Sequence, residues 1–149
     1  MPVRVIRENL NSVHLPKHVD DAVDIGDLLF WDSDTKTARP AHKVSGADYA
    51  EKTANFASAF VGVALTAEEA NRAGTVVVAT SGDAVFIGPT DSGTDYQPLD
   101  YVMVGDGAVV HPQKVVKTTD ETKAIGRVIH PKGSGSTETV IRILSKFNR

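Results

Sequence analysis

The residues of this chain that could take part in chemistry are histidines and aspartates, and their spacing matches no common metal site. The five histidines follow no metal-ligand pattern, and two of them precede proline; they are His14, His18, His42, His111 and His130. We interpret them as turn and strand-end residues. Asp32 and Asp34 could offer oxygens to a cation, but the Thr-Lys-Thr that follows does not supply the further ligands of a calcium loop. The pattern therefore predicts no metal site.

The serines and glycines offer no better starting point for catalysis. Ser81, in the stretch TSGD, and the serines of GSGS lie outside any Gly-x-Ser-x-Gly pattern, and no histidine and acid nearby suggest a triad. The stretch GDGAVV lacks the lysine and the helix of a phosphate-binding loop. Cysteine is absent, which excludes disulfides, thiolate ligands and cysteine nucleophiles. We expect a protein that is not an enzyme and holds no cofactor.

Length and hydropathy indicate a single soluble domain. At 149 residues the chain is long enough for one core without covalent cross-links. No stretch has the ~18 consecutive apolar residues that span a bilayer, and the first residues lack the apolar run of a signal peptide. We expect a protein that is made in the cytoplasm and has no membrane partner.

Charge is divided unevenly along the chain. Residues 1–113 contain 8 Lys+Arg and 16 Asp+Glu, whereas residues 114–149 contain 8 and 3, so the two parts carry −8 and +5. This asymmetry favours head-to-tail association or docking on a charged scaffold over nucleic-acid binding, for which a domain is usually basic overall. Alternatively, the opposite charges are simply neighbours in the folded domain.

The elements that must position these residues are mostly short β-strands. Apolar, β-branched runs alternate with Gly, Asp and Pro, as is typical of strands and turns. The predicted strands cover residues 3–6, 12–15, 28–31, 38–41, 60–65, 75–79, 84–87, 101–104, 109–111, 124–130 and 139–145. This spacing predicts an all-β fold, either a barrel-like domain or a sandwich.

Two stretches favour one or two short helices within the β fold. In LTAEEANRAG, Thr66 is a candidate N-cap, Glu69 is its capping-box partner, and Gly74 could end the helix. The Ala-rich stretch at 45–60 is interpreted as a short helix or as an ordered loop over one mouth of the barrel.

An internal repeat relates the two halves of the chain. FVGVALTA aligns with AIGRVIHP, which places Gly62 on Gly126, and GTVVVA aligns with ETVIRI at the same offset. Earlier in each copy, DLLFWD aligns with DYVMVGD, and Arg-Pro-Ala at 39–41 aligns with His-Pro-Gln at 111–113. Glycine inside a strand usually marks a bulge or a close approach of another backbone, so both glycines are predicted corners.

The repeat divides the chain into an N-terminal arm and one β domain. The copies cover about residues 23–80 and 97–146 within a domain at 22–149, and residues 1–21 lie outside both. Two copies of a unit with one apolar face can cover each other, which predicts a single core built from an internally duplicated β unit. The alternative is chance similarity among valine-rich strands.

The arm is the first candidate contact surface. Charged and apolar residues alternate through Val3, Arg4, Val5, Ile6 and Arg7, which favours pairing as an added strand. The partner strand would belong either to the edge of a neighbouring subunit or to the same subunit.

Aromatic residues supply the other candidate contacts. Trp31 follows Phe30 directly and cannot share a strand face with it, so one of the two points outward or to a subunit contact. The excursion at 42–58 carries Tyr49 and Phe56. We take Trp31, Tyr49 and Phe56, together with the arm, as the candidate interface.

Four stretches in order resemble a known family: VDIGDLLFWDSDTKTARPA, FVGVAL, GTVVVATSGDAVF, and AIGRVI followed by TVIRILSK. They are similar to the small capsid-cement or head-decoration proteins of tailed bacteriophages, over roughly residues 22–145. These motifs are short and consist of common strand residues. The N-terminal arm departs from the family's pattern.

The resemblance implies a β-rich protein, often trimeric, that sits on the outside of the capsid and holds major capsid proteins together. It thus implies a homotrimer, the major capsid protein as partner and the virion as location, and it carries over no catalytic residue. A receptor- or glycan-binding β module of a phage tail or fibre is the alternative. Exposed aromatic residues around Trp31 or Tyr96 would favour that alternative.

Overall fold

The computed structural model describes residues 3–6, 11–87, 95–130 and 138–148, with the backbone alone for 3–6, 83–87, 138 and 148. The described strands are β1 (Val3–Ile6), β2 (Ser12–Pro16), β3 (Leu28–Asp32), β4 (Thr37–Pro40), β5 (Phe60–Ala64), β6 (Thr75–Ala79), β7 (Asp83–Ile87), β8 (Tyr101–Val104), β9 (Val115–Thr118), β10 (Gly126–Val128) and β11 (Glu138–Ile143). The α-helix of the described residues is α1 (Tyr49–Ala59). The predicted all-β class with a short helix is confirmed.

The strands form two antiparallel sheets that share one core in a sandwich-like arrangement. Sheet I has the order β2-β6-β5-β3-β4, and sheet II has the order β1-β7-β11-β10-β8-β9. With β1 set aside, the order of sheet II repeats that of sheet I, each strand being replaced by the strand five places later in the chain. A common strand order is what an internally duplicated unit predicts. We call the two five-stranded sets the first and second units.

The same hydrogen bonds recur just before the β3 and β8 strands of the two units. The Asp27 carboxylate accepts from the backbone N–H of Asp24 at 2.9 Å, and the N–H of Asp27 donates to the Asp24 carbonyl at 3.1 Å. Asp100 makes the same two bonds with Gln97, also at 2.9 and 3.1 Å. An aspartate that closes a turn on its own backbone needs no distant partner. Each unit therefore encodes this turn locally.

The residue inside each of these turns has a left-handed backbone. Gly26 has a φ of 94° and donates to the Ala64 carbonyl at 2.8 Å, and Leu99 has a φ of 77° and donates to the Val128 carbonyl at 2.9 Å. Glycine adopts this conformation without strain, whereas a residue with a side chain such as leucine pays about 1–3 kcal/mol. The second unit thus keeps the turn despite its less suitable residue.

Strand pairing corrects one part of the repeat alignment. Leu29 pairs with Pro40 in the first unit, and the equivalent Val102 pairs with Lys117 in the second. Pro40 therefore corresponds to Lys117. The predicted match of Arg-Pro-Ala with His-Pro-Gln is wrong, because the second tripeptide lies in the turn before β9.

The core that joins the sheets is apolar and draws on both of them. Leu28 and Val63 enter it from sheet I, and Val102 and Ile141 enter it from sheet II, all without exposure to solvent. Removing apolar surface from water is worth about 25 cal/mol per Å². The facing sides of the two units therefore stabilise each other.

Sheet I also curls, so that its second face is partly enclosed. A parallel bridge joins Lys17, just past β2, to Ala38 in β4, which brings the two edges of the sheet together. Leu29, Val61 and Val78 are buried in a second apolar cluster inside this curl. The fold thus combines a sandwich with one barrel-like sheet.

Helix α1 packs on the shared core. Its N-cap is Asp48, whose carboxylate accepts from the backbone N–H of Glu51 at 2.8 Å. Its buried residue Phe56 lies edge-on to Phe30, with ring centroids 6.0 Å apart, and against Phe60 at 5.4 Å. Of the two interpretations of the Ala-rich stretch, the short helix is confirmed.

The predicted helix at 65–74 is wrong. Glu68 exchanges two backbone hydrogen bonds with Val23, at 2.8 and 2.9 Å, and the Thr66 hydroxyl accepts from the N–H of Val77 at 3.1 Å instead of capping a helix. These tertiary bonds use the groups that a helix would need, so the stretch forms turns.

The predicted strand at 109–111 is also wrong, and β9 at Val115–Thr118 takes its place. The Asp106 carboxylate accepts from the backbone N–H groups of Ala108 and Val109 at 2.9 and 2.8 Å. These bonds close a tight turn directly after β8. The paired valines suggest a strand on their own, but the preceding aspartate holds them in the turn.

Both N-terminal strands pair within the chain. β1 pairs with β7, from Val3 opposite Phe86 to Ile6 opposite Asp83, and β2 pairs with β6. Of the two alternatives for the arm, the described residues show pairing within the subunit. The boundary between an arm and a domain at residue 21 stays a prediction, and β2 holds in sheet I the place that β7 holds in sheet II.

Gly62 and Gly126 occupy equivalent strand positions that another backbone approaches closely. A Cβ on Gly62 would lie 1.9 Å from the Ala79 carbonyl oxygen, and one on Gly126 would lie 2.8 Å from that of Arg142. Beside Gly62 the pairing of β3 with β5 shifts register after Leu29. Both positions therefore require glycine, as the repeat indicates.

Gly62→Ala is expected to lower the free energy of unfolding by about 3 kcal/mol or more, because the added Cβ cannot fit without moving β6. Gly126→Ala is expected to cost less, since its contact is 0.9 Å longer. Urea unfolding followed by circular dichroism measures both. Gly107→Ala is the control, because Gly107 has a φ of 95° but nothing within 4 Å of the added atom. Equal losses in all three variants would contradict the steric argument.

Candidate functional site

An acid-lined cleft opens where the two units meet. Its walls come from residues 20–27 and the turn at 42–43 in the first unit and from the turn at 111–113 in the second, and its volume is about 760 Å³. That volume lies in the range of ligand pockets. Four carboxylates line it: Asp20, Asp21, Asp24 and Asp27. We call it the acidic cleft.

Asp27 links the two units within the acidic cleft. Gln113 Nε2 donates to Asp27 Oδ1 at 2.8 Å and to the Ile25 carbonyl at 3.3 Å, while the N–H of Asp24 donates to Asp27 Oδ2. Burial raises the pKa of the Asp27 carboxyl, although the hydrogen bonds from Asp24 and Gln113 oppose that rise. A cation near this carboxylate would offset its cost of desolvation.

Gln113 carries a hydrogen-bond acceptor that the fold does not use. The side chain is only 8% exposed, and its Oε1 has no hydrogen-bond partner among the described residues. Nearby, the N–H of Leu28 donates to the Pro112 carbonyl at 2.7 Å, which holds the turn against β3. A buried acceptor without a donor costs about 1–3 kcal/mol. A group with spare N–H donors would therefore be stabilised here.

Two histidines border the cleft without adding positive charge at neutral pH. Burial lowers the pKa of both His42 and His111, and nearby Lys43 and Lys114 respectively lower it further. Asp27 opposes this by favouring the charged imidazoles, but the net direction is downward for both. Lys43 also lines the cleft, and the four carboxylates outnumber this cation.

Arg39 neutralises one of the four carboxylates from within the chain. Its Nε donates to Asp21 Oδ2 at 2.8 Å and its Nη2 donates to Asp21 Oδ1 at 3.1 Å, a two-pronged pairing that is stronger than a single contact. Asp32 lies 3.4 Å from Nη1 of the same guanidinium. Because Asp21 is engaged in this way, it is not available to a ligand.

A buried lysine shapes the segment that carries the remaining acids. Lys17 is 4% exposed, and its Nζ donates to the carbonyls of His18 and Asp21 at 2.9 and 2.8 Å. This folds residues 17–21 into a turn around the ammonium group. Asp20 and Asp24 stay exposed at the edge of the acidic cleft.

The described part of the chain contains neither a metal cluster nor a membrane-spanning helix. No three His, Asp or Glu side chains among the described residues are arranged to hold a metal ion. No helix in the same residues is both long and apolar enough to cross a membrane. The carboxylate and amide oxygens of the acidic cleft are acceptors that suit an ammonium or guanidinium group.

Trp31 lies at a separate, apolar cleft. This cleft has a volume of about 280 Å³ and is lined by Leu15, Trp31, Val61, Lys146 and Phe147. Trp31 is half-buried, Phe147 is 53% exposed, and Phe30 is buried in the shared core. Of the two neighbouring aromatic residues, Trp31 is therefore the one available to a partner. We call this the Trp31 cleft.

The other two aromatic candidates serve the fold of this chain. The Tyr49 hydroxyl donates to the Val104 carbonyl at 2.8 Å and accepts from the N–H of Gly107 at 3.2 Å, and burial raises its pKa. Through these two hydrogen bonds, Tyr49 stabilises the turn after β8. Phe56 is fully buried, so this candidate contact is a core residue and offers no surface to a partner.

The arm residues remain candidate contacts with another protein, and the support for this is the position of their backbone. Val3, Arg4, Val5 and Ile6 form β1, which lies at an edge of sheet II. Arg7 and the side chains of β1 fall outside what the structure describes. A contact of these residues with another protein stays a prediction.

Sequence reasoning missed the acidic cleft because its two sides are far apart in the chain. Asp27 and Gln113 are 86 positions apart, and no local pattern connects them. The available signals are the Asp-x-x-Asp spacing of DIGD, which closes a turn, and the His-Pro-Gln tripeptide, whose proline favours one. Neither signal says that the two turns meet.

Comparison with known proteins bears on the fold. No protein-family model matches the chain, and no curated protein matches it. Among solved structures, the N base of the head fibre gp8.5 of bacteriophage phi29 is similar, with a TM-score of 0.53 and 13% sequence identity, over 90% of this chain and 95% of that one. The two chains share a fold. At this identity the likeness concerns the fold alone.

Asp27→Asn is expected to change how stability depends on pH. Because the folded-state pKa of Asp27 lies above its ordinary value of 3.8, the carboxyl contributes stability that is full below that value and lost as pH rises through the folded-state pKa. Wild type should therefore lose stability relative to Asp27→Asn as pH rises from strongly acidic to neutral. Urea midpoints across this range measure it.

The matched control for this prediction is Asp34→Asn, an exposed carboxyl in the turn between β3 and β4. The comparison uses the difference between wild type and each variant, so that titration of other groups cancels. A wild type that gains stability over Asp27→Asn as pH rises would contradict the assigned effect of burial.

Proposed function

We propose that this chain is a structural protein of a tailed-phage head. The observation that carries the proposal is the likeness in fold to the phi29 head fibre base, which extends over nearly all of both chains. The resemblance of four ordered sequence stretches to capsid-cement proteins supports the same class of particle. The two lines of support are of different kinds, since one is a shared fold and the other is a set of short motifs.

More specifically, we propose a cement protein that binds the outer surface of the head and stabilises contacts between major capsid protein subunits. A homotrimer would engage several capsid subunits at once. For linked contacts the effective concentration is about mM, so avidity exceeds a single contact by ~10² to 10⁴. The N-terminal arm and the excursion at 42–58 are the proposed contacts with the shell.

The proposed role involves binding without a catalytic step. The support for this is that two carboxylates of the acidic cleft are already bound by side chains of the same chain. Asp21 is held by Arg39, and Asp27 is held by Gln113, so these carboxylates position loops and pair charges. Both carboxylates are thus engaged in stabilising the fold, which supports a role without a catalytic step.

A receptor- or glycan-binding module is the second candidate, and the Trp31 cleft is the observation that favours it. Trp31 lies beside the exposed ring of Phe147, and aromatic faces of this kind can pack on sugar rings. Tyr96 does not add to this surface. It is fully buried, and its hydroxyl accepts from the N–H of Lys117 at 3.1 Å.

The test of the proposed function uses heads of the encoding phage that were assembled without this chain. The purified chain is expected to sediment with these heads in a saturable manner and to raise the temperature at which they release DNA, because a ligand that binds the intact shell stabilises it. Deletion of residues 2–11 is expected to lower retention about 10-fold or more if the arm is one of several linked contacts.

Asp34→Ala, a change in an exposed turn, is the matched control and should bind as wild type does. Thermal unfolding of the deletion variant checks that the domain still folds without β1. If the purified chain does not sediment with heads, the proposed function is contradicted. Specific binding to a glycan array that Trp31→Ala abolishes would instead favour the second candidate.

A further inference from the structure

The acidic cleft and the Trp31 cleft, whose lining includes the basic residue Lys146, lie toward opposite ends of strand β3. Asp27 directly precedes the strand and belongs to the acidic cleft, and Trp31 lines the cleft that also contains Lys146 and Phe147. Since a strand rises about 3.3 Å per residue, Asp27 and Trp31 are about 13 Å apart along it. The two features are therefore presented by separate parts of one copy.

The acidic cleft has the composition of a protein contact. Ile25 lines it and is 51% exposed, and Val19, next to Asp20, is 47% exposed. Asp20 and Asp24 add exposed negative charge beside these aliphatic side chains. A pocket that joins exposed apolar groups to exposed carboxylates suits a partner side chain that is itself both charged and apolar.

Gln113 supplies an independent reason to expect an N–H donor in the cleft. Its side chain lines the cleft and is more than nine-tenths buried, yet its Oε1 has no partner among the described residues. A lysine ammonium carries three N–H donors and no acceptor. One such group can serve a carboxylate and the Gln113 amide oxygen together.

Lys146 and Phe147 form a basic and aromatic pair on a backbone that hydrogen bonds hold in place. They begin the 3-10 turn Lys146–Asn148, and both are exposed. The Ser145 hydroxyl donates to the Val61 carbonyl at 2.6 Å and accepts from the N–H of Phe147 at 3.2 Å. Because this backbone is already fixed, binding has to order only the two side chains.

Charge complementarity favours a second copy of the chain as the partner. Residues 1–113, which form the acidic cleft, carry a net charge of −8, and residues 114–149, which contain the Lys146–Phe147 pair, carry +5. The acidic cleft and the Lys146–Phe147 pair therefore come from segments of opposite net charge. A contact between unlike surfaces is head-to-tail, and it closes into a ring when the rotation between copies allows.

We propose that the Lys146–Phe147 pair of one copy inserts into the acidic cleft of the next copy. Lys146 Nζ lies among the carboxylates and the Gln113 amide oxygen, and the Phe147 ring packs on Ile25. This inference deepens the homotrimer of the proposed function and rests on it, because it names the surfaces through which the copies associate. It concerns contacts between copies and not contacts with the shell.

The test is a charge exchange followed by sedimentation velocity over a dilution series. Asp20→Lys/Asp24→Lys and Lys146→Glu are each expected to raise the dissociation constant of self-association about 30-fold or more, because each places like charges in the contact. An equimolar mixture of the two variants is expected to associate again as heterodimers, because Lys146 of the Asp20→Lys/Asp24→Lys variant then meets the unchanged acidic cleft of the Lys146→Glu variant. A closed ring of three is not expected in the mixture, because two variants cannot alternate around it without one contact between like charges. All three positions are exposed, so the thermal midpoints should match wild type.

The matched control is Asp34→Lys/Glu51→Lys, which makes the same change in net charge at exposed positions outside the cleft. It is expected to associate as wild type does. Variants that associate normally, a mixture that stays dissociated, or a wild type that is monomeric at every concentration would each overturn the proposal. If these variants lose binding to heads but keep self-association, the proposal is also overturned, because the cleft would then bind the capsid shell and not another copy.

A second measurement does not depend on charge. The chain has no cysteine, so Ala22→Cys, at an exposed position of the acidic cleft, and Asn148→Cys, directly after the Lys146–Phe147 pair, each introduce a single thiol and keep the proposed contact side chains. A short bismaleimide is expected to join the two variants when they are mixed and to join neither variant to itself. Self-joining of either variant, or no joining in the mixture, would contradict a head-to-tail contact. Both assays use the purified chain without heads, so their failure is distinguishable from failure of the proposed function.

Discussion

Mutual burial of the apolar faces of two five-stranded units is the interaction on which the rest of the structure depends. Leu28 and Val63 of sheet I meet Val102 and Ile141 of sheet II, and none of them is exposed. A single unit would leave this face in water, because the curl of sheet I encloses only its other face. The repeat in the sequence and the sandwich in the fold therefore both reflect the need of each unit to bury an apolar face against a second unit.

The same packing creates the acidic cleft. When the units close on each other, the turn before β3 meets the turn at 111–113, and the bond from Leu28 N–H to the Pro112 carbonyl joins them. Polar groups gather at this junction because the strand ladders do not reach it. Asp27 and Gln113 satisfy each other only in part, which leaves a buried acceptor without a donor beside the carboxylates of the cleft.

Local patterns predict most of the fold and little of the candidate site. Alternation of apolar and polar residues locates ten of the eleven described strands, because the strand period is a property of neighbouring residues. Capping signals at Thr66 fail, since its hydroxyl bonds to β6 and Glu68 pairs with Val23. The burial of Phe56 and the position of β9 likewise depend on partners that the local sequence does not name.

The sequence by itself determined the β class, the turns closed by Asp27 and Asp100, and the positions of Gly62 and Gly126, because each follows from residues close together or from the repeat. Only the tertiary structure decided that Asp27 meets Gln113 and that Trp31 shares a cleft with Phe147. The physical reason is that strand order and sheet packing bring together groups separated by a large part of the chain. No periodicity in the sequence encodes those distances.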